Sequence, residues 1–171
     1  MAKATVSATL GIAGKPKRDA VKVSAALPRD LSPEVGQAFQ AAIAPISTFS
    51  GFQARALEQL YRSAYFDNRD GQAFIISGDT GAGKTEAFLF PILLNIANEA
   101  PRDQVVPGVR AVLVYPRIRL ARNQLGRILK YTLAFEANSG PRITVGIQNG
   151  EMPRTIDDIK QRWPKVHDQI Y

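Results

Sequence analysis

The sequence predicts an α/β protein: a parallel sheet flanked by helices. Three observations carry this expectation. Short apolar runs alternate with helical patterns in the order strand–helix–strand–helix–strand between Ala73 and Ile147. The stretches joining these runs are long enough to be helical crossovers, which parallel pairing requires. A composition of 45% hydrophobic and 22% charged residues over 171 positions allows one domain with a sizeable core.

Residues 1–46 read as a loosely structured N-terminal extension. They are poor in aromatics and interrupted by Pro16, Pro28, Pro33 and Pro45. Within them, "TVSATLGI" suits a short strand. "SPEVGQAFQAAIA" suits a short helix, with Ser32 as N-cap and Pro33 at the first helical position. Residues 47–171 form the second unit. "FQARALEQLYRSAYF" places Phe52, Ala56, Leu57, Leu60, Ala64 and Tyr65 at helical spacing, and "NRDGQ" ends that helix in a turn. "AFIIS" is short, apolar and rich in β-formers, as a buried strand should be.

A helix apolar nearly all round follows from about Gly83 to Ala100, with Pro91 expected to kink it. After the loop "PRDQVVPG", "VRAVLVYP" reads as a second buried strand stopped by Pro116. "RIRLARNQLGRILKYTLAFEA" reads as a helix burying Ile118, Ala121, Leu125, Ile128, Leu129 and Leu133, with Arg119, Asn123, Arg127 and Lys130 opposite. "RITVGI" is a third strand, and the polar tail is helical around "TIDDIKQRW".

Between the first strand and its helix lies "GDTGAGKT", Gly78 to Thr85, which fits G-x-x-x-x-G-K-[ST] in the required strand-to-helix context. A loop that wraps phosphates needs close backbone approach, which Gly78, Gly81 and Gly83 permit, with Asp79, Thr80 and Ala82 completing the turn. Its backbone N–H groups and the helix N-terminus then face the anion. Lys84 supplies a cation for the β- and γ-phosphates, and the Thr85 hydroxyl suits Mg²⁺ bound with them. The expected cofactors are ATP and Mg²⁺.

Composition excludes other chemistries. Without cysteine there is neither a disulfide framework nor a thiolate zinc site, and His167 is the sole histidine, read as a surface residue. No apolar run approaches the ~20 residues that span a bilayer, and the N-terminus lacks the order of a signal peptide. A cytoplasmic protein with no membrane partner is therefore expected. The net charge of +7 is uneven: Arg110, Arg117, Arg119, Arg122, Arg127 and Lys130 occur in one stretch without an acid. Such a stripe suits either a solvated helix face or a phosphate-backbone footprint, and composition does not choose.

The residues around the P-loop bear a wider likeness. "GDTGAGKTEAFLFPIL" resembles motif I of superfamily 2 DEAD/DEAH-like ATP-dependent helicases, and "FSGFQARAL" resembles the glutamine motif that precedes it there. The resemblance implies a RecA-like P-loop NTPase fold in which the Gln53 amide reads the adenine edge, with Phe52 and Phe49 as apolar neighbours of the base. Read from the residues alone, Gln53 is equally an exposed polar residue at a helix start. It lies 25 residues before Gly78, somewhat further than is usual in the family.

"YPRIRLARNQL" resembles motif Ia at Pro116, Leu120, Ala121 and Gln124, with Arg117 replacing the family's Thr and with departures at Ile118 and Arg119. The resemblance implies that Arg117, Arg119 and Arg122 contact a DNA or RNA strand, where a guanidinium can hold a phosphate. "VGIQNGEMPR" resembles a later Gly-containing segment, although Asn149-Gly150 is also an ordinary turn.

The resemblance also implies parts that the sequence lacks. No apolar run after Thr85 ends in the Asp-Glu pair of motif II, and "IDDI" follows polar residues rather than a strand. The Ser/Ala-Thr motif and the second RecA-like half, a partner in the same or another chain, are missing too. The expectation is an incomplete motor domain, the N-terminal part of an ATP-dependent helicase or translocase, with no complete catalytic set. Two other readings remain open: a small P-loop phosphotransferase using the arginine cluster, and a non-catalytic helicase remnant acting as a binding module.

Overall fold

The computed structural model describes residues 8–14, 19–44, 46–66, 73–99, 108–150, 152 and 155–162. The "NRDGQ" turn, the loop at 101–107, His167 and part of "GEMPR" lie outside them. The elements in chain order are β1 (Ala8–Gly14), β2 (Val21–Lys22), α1 (Val23–Ala26), α2 (Pro33–Ala42), β3 (Thr48–Phe49), α3 (Gly51–Phe66), β4 (Ala73–Gly78), α4 (Lys84–Glu99), α5 (Ile118–Ala137) and α6 (Ile156–Arg162). This mixture of helix and strand is compatible with the α/β class expected.

The sheet is smaller than the sequence suggests, and its pairing is different. β4 pairs in parallel with β1, from Ala8 opposite Ala73 to Gly14 opposite Gly78, with an irregularity between Thr9 and Ile12. β2 and β3 form a separate antiparallel ladder, Val21 opposite Phe49. The expected strands at 109–116 and 142–147 join no ladder among the described residues. They keep the period-two burial of a strand: Leu113 and Tyr115 are half-buried while Val112 and Val114 are 75% and 85% exposed. Alternation needs only one covered face, whereas a ladder needs a second aligned edge. β4 is likewise covered on one face only, with Ile75 66% exposed, so it is not the fully buried strand expected from "AFIIS".

The core forms around α4. Phe90 meets Phe39 of α2 edge-on at 5.2 Å, Tyr131 of α5 edge-on at 5.0 Å, and Phe49 of β3 at 5.7 Å. Phe39 also meets Phe135 at 6.4 Å, and Leu57 and Tyr61 of α3 complete the same cluster. Perpendicular ring pairs of this kind add to the burial of large apolar surfaces. Pro91 lies buried within an otherwise continuous α4. Polar clasps fix the helices as well. Asn98 Oδ1 accepts from the Ser32 N–H at 3.0 Å while Asn98 Nδ2 donates to the Tyr61 hydroxyl at 3.1 Å.

Two expectations are corrected here. Residues 19–44 are packed, not loose: Val23, Leu31, Ala38, Phe39, Ala42 and Ile43 all belong to the main core. Ala38, Phe39 and Ala42 are the buried apolar residues of the capped helix α2, with the Ser32 hydroxyl accepting from the Val35 N–H at 3.2 Å and Pro33 opening it. Val23 of α1, Leu31 and Ile43 join the core from outside it. On α5 the buried face is Ile128, Tyr131, Thr132 and Phe135, which leaves Leu129 and Leu133 exposed at 37% and 61%. The two aromatic rings find partners on α2 and α4, and their placement turns the leucines outward.

Phe39→Ala should therefore lower stability by about 3–5 kcal/mol, the cost of removing a fully enclosed aromatic ring. Urea unfolding followed by circular dichroism measures it, and a loss below about 1 kcal/mol would mean that α2 is not part of the cooperative core.

Candidate functional site

The site is built where β4 ends and α4 begins. Between Gly78 and Lys84 the chain turns through Gly81 at φ 81° and Gly83 at φ 78°, a backbone region that side chains strongly disfavour. The Ala82 N–H donates to the Asp79 carbonyl at 3.1 Å, and the Ala87 N–H donates to Gly83 at 3.0 Å, so turn and helix join without a gap. At Gly78 an added Cβ would already touch Ala82 Cβ at 3.4 Å. Lys84 curls back over the loop and its ammonium donates to the Gly78 and Asp79 carbonyls, both at 2.6 Å. Asp79, Thr80 and Gly81 are exposed at the crest, while Ala82, Gly83, Lys84 and Thr85 are half-buried.

Below the loop, Phe52 and Ala56 of α3 pack with Ala87 of α4 and against Ile76 of β4. Phe52 is 2% exposed and Phe49 is 1% exposed. Both rings are consumed by the core, so the expected role as neighbours of a base is corrected: neither offers a face to one.

Gln53 stands in the first turn of α3 and reaches the loop. Its amide nitrogen donates to the Gly83 carbonyl at 3.3 Å, while its amide oxygen accepts from the Ser50 N–H at 3.0 Å and the Ser50 hydroxyl at 3.3 Å. The Ser50 hydroxyl also accepts from the Gln53 N–H at 3.3 Å. This side chain is therefore a strut between two segments rather than a solvated helix-start residue. A Cβ at position 83 would displace the Gln53 amide nitrogen from this place, and the φ of 78° there disfavours a side chain in its own right.

Arg117 at the N-cap of α5, Arg119 and Arg122 in its opening turns, and Arg110 and Arg127 are all exposed. Arg110 also pairs with Glu99 at 3.3 Å and Arg127 with Glu86 at 3.5 Å, so these two reach acids of α4. Glu86 is the residue after Thr85 and its side chain is only 15% exposed. It also accepts from the Tyr131 hydroxyl at 3.3 Å. Burial, then the Glu86 charge and hydrogen bond, push the Tyr131 phenol above its ordinary pKa, with Arg127 acting in the opposite direction. Sequence reading missed this junction. The i, i+4 spacing of Arg127 and Tyr131 was its one visible trace.

"IDDI" is accounted for structurally. The Thr155 N–H donates to the Asp158 carboxylate at 3.2 Å and the Asp158 N–H donates to the Thr155 hydroxyl at 3.1 Å, a reciprocal cap of α6. Among the described residues no group of three or more His, Cys, Asp or Glu side chains could hold a metal ion. None of their helices is long and apolar enough to cross a membrane.

A glycine-lined turn with a lysine folded over it, at the junction of strand and helix, is the geometry that the pattern G-x-x-x-x-G-K-[ST] calls for. Comparison with known families places the chain more narrowly. The DEAD/DEAH box helicase family matches residues 50–167, more than half of the 171-residue chain, and the chain belongs to that family. It is similar to Druantia protein DruE of Escherichia coli (strain UMEA 4076-1), 40% identical over 79 residues, which is 44% of this chain and 4% of that relative. The chain thus spans a small part of the length of the relative it matches. No solved structure matches it.

Gly83→Ala should destabilise the protein by about 1–3 kcal/mol through backbone strain and displacement of Gln53. Gln53→Ala in the same chain should relieve the steric part and leave the strain. Thermal denaturation of the single and double variants checks this; strictly additive losses would show that the two residues do not interact.

Proposed function

We propose that residues 47–171 carry the ATP-binding part of a RecA-like helicase motor domain, with residues 8–14 and 19–44 set against it. We further propose that the intact protein is an ATP-dependent helicase or translocase acting on DNA or RNA in the cytoplasm. The observation that supports this most directly is the preformed loop. Lys84 is held by two carbonyls at the crest, 2.6 Å from each, and the Gln53 amide braces Gly83 from below. A lysine so placed can exchange backbone carbonyls for phosphate oxygens with little rearrangement, and the glycine cradle leaves space for an anion.

Gly78, Asp79, Thr80, Gly81, Ala82 and Gly83 would hold the phosphates through the backbone, and Lys84 would neutralise the β- and γ-phosphates. Thr85 would hold Mg²⁺ through its hydroxyl, and Gln53 would position the adenine edge from the same strut. ATP with Mg²⁺ supplies the phosphoanhydride bond whose hydrolysis drives strand movement. Arg117, Arg119 and Arg122 would bind strand phosphates. The acids that activate water, and the second motor half, would come from elsewhere in the same polypeptide or from a partner. Membership of the helicase family weighs against the phosphotransferase reading of the arginine cluster.

Equilibrium binding of a fluorescent ATP analogue tests the first half of this reading. Lys84→Ala should weaken it by at least about tenfold, the loss of one charge-assisted contact to phosphate. Single-stranded oligonucleotide binding across a salt series tests the second half. Replacing Arg117, Arg119 and Arg122 with Ala should reduce the salt slope by about 2 for three lost phosphate contacts. Unchanged analogue affinity would refute the nucleotide site; an unchanged slope would refute the strand contacts.

A further inference from the structure

We propose that Glu86, with Arg127 and Tyr131, is a positioning junction through which an occupied phosphate loop and a bound nucleic-acid strand strengthen each other. This rests on the reading of the loop and of Arg117, Arg119 and Arg122 given above. Glu86 lies in the first turn of α4, adjoining Lys84 and Thr85, yet its carboxylate is turned to α5. Both of its side-chain contacts described above, the Arg127 guanidinium at 3.5 Å and the Tyr131 hydroxyl at 3.3 Å, belong to that one helix.

An acid at this position has a cost that the junction removes. A carboxylate beside a triphosphate site opposes the incoming negative charge, and at 15% exposure water screens it poorly. Arg127 supplies the compensating charge and Tyr131 a hydrogen bond. Each anion that arrives at the α4 N-terminus therefore increases the demand on Arg127, and so on the seating of α5. On α5 the buried residues Ile128, Tyr131 and Phe135 make the second half a rigid anchor. Arg122 stands about 8 Å along the axis from Arg127, and Arg117 about 15 Å, at 1.5 Å per residue. A small change in how α5 seats against Glu86 is thus carried by continuous helix to the strand-binding arginines. Reciprocity follows from linkage: if triphosphate favours one seating and the strand favours the same one, each raises the affinity of the other.

The competing account gives Glu86 only a local task, stabilising the first turn of α4 through the helix dipole. Arg127→Met distinguishes the two, because it leaves the carboxylate in place and removes only the link. Affinity of the full chain for a fluorescent, non-hydrolysable ATP analogue should be measured with and without saturating oligothymidylate, and in the reverse order. The unaltered chain should show mutual strengthening of about fivefold or more. Glu86→Gln, Arg127→Met and Tyr131→Phe should each bring it within about twofold. Glu86→Gln and Tyr131→Phe should leave each ligand alone within about threefold of the unaltered protein, whereas Arg127→Met, which leaves the carboxylate uncompensated, should weaken the analogue alone but not the oligothymidylate alone. Arg127→Lys should retain most of the effect. Tyr131→Phe keeps the ring against Phe90, so it guards against simple misfolding. Retention of the full factor in Arg127→Met, or its absence from the unaltered chain when both ligands bind, overturns the junction while leaving the two sites intact. Failure of either ligand to bind the unaltered chain overturns the functional reading and the junction with it.

Discussion

The enclosure of Phe90 is the constraint on which the rest of the molecule depends. One ring in the second turn of α4 is met by Phe39, Phe49 and Tyr131, which belong to α2, β3 and α5. Those contacts fix where α4 begins. A phosphate loop is useful only if its helix N-terminus is held still, because its backbone N–H groups act at hydrogen-bond distances and lose strength within a few tenths of an ångström. The loop itself cannot supply that rigidity, being short and glycine-rich. It borrows it from aromatic packing two turns away and from the small Phe52, Ala56 and Ala87 cluster directly beneath.

Electrostatics then decide what the rigid frame can hold. The α4 N-terminus presents the partial positive charge of the helix, and Lys84 adds a full one, held over the loop by backbone carbonyls. Glu86 is the countercharge, and it is turned aside toward Arg127 and Tyr131. Within the basic stretch, Arg127 of α5 and Arg110 before it are tied to acids of α4, and both remain exposed, as do Arg117, Arg119 and Arg122 at the helix start. A count of positive charge along the sequence could not find those two ties, because they depend on which acids of another helix lie opposite.

What the sequence made legible follows the range of the forces involved. Local signals were read well: Ser32 and Pro33 open α2, Gly81 and Gly83 take the left-handed conformations the loop requires, and α3, β4 and α4 stand where periodicity put them. Non-local pairing was not legible. Nothing in "ATLGIAG" announces that it will lie beside "AFIISG", since parallel partners share no turn that would set their register. The face of α5 was misread for a related reason. Leu129 and Leu133 are as hydrophobic as any buried residue, and only the rings waiting on α2 and α4 give Tyr131 and Phe135 precedence. Gln53 was found by resemblance, but its bond to Gly83 spans 30 residues and is visible only in three dimensions.

The packing of residues 19–44 separates two kinds of boundary. Likeness to the helicase family begins at residue 50, just before the glutamine strut, yet the core already includes Val23. α2 lays Phe39 against both Phe90 and Phe135, so it spans the helix that carries the phosphate loop and the helix that carries the arginines. Ser32 and Asn98 tie α2 to the far end of α4 as well. α4 and α5 also meet directly, through Phe90 and Tyr131 and through the Glu86 junction, and α2 adds a further constraint on how the two lie. The unit that must fold for the site to exist is therefore larger than the unit that family resemblance outlines, and its additional part acts on geometry rather than on chemistry. Residues outside the proposed contacts still set how far apart the two proposed binding surfaces stand.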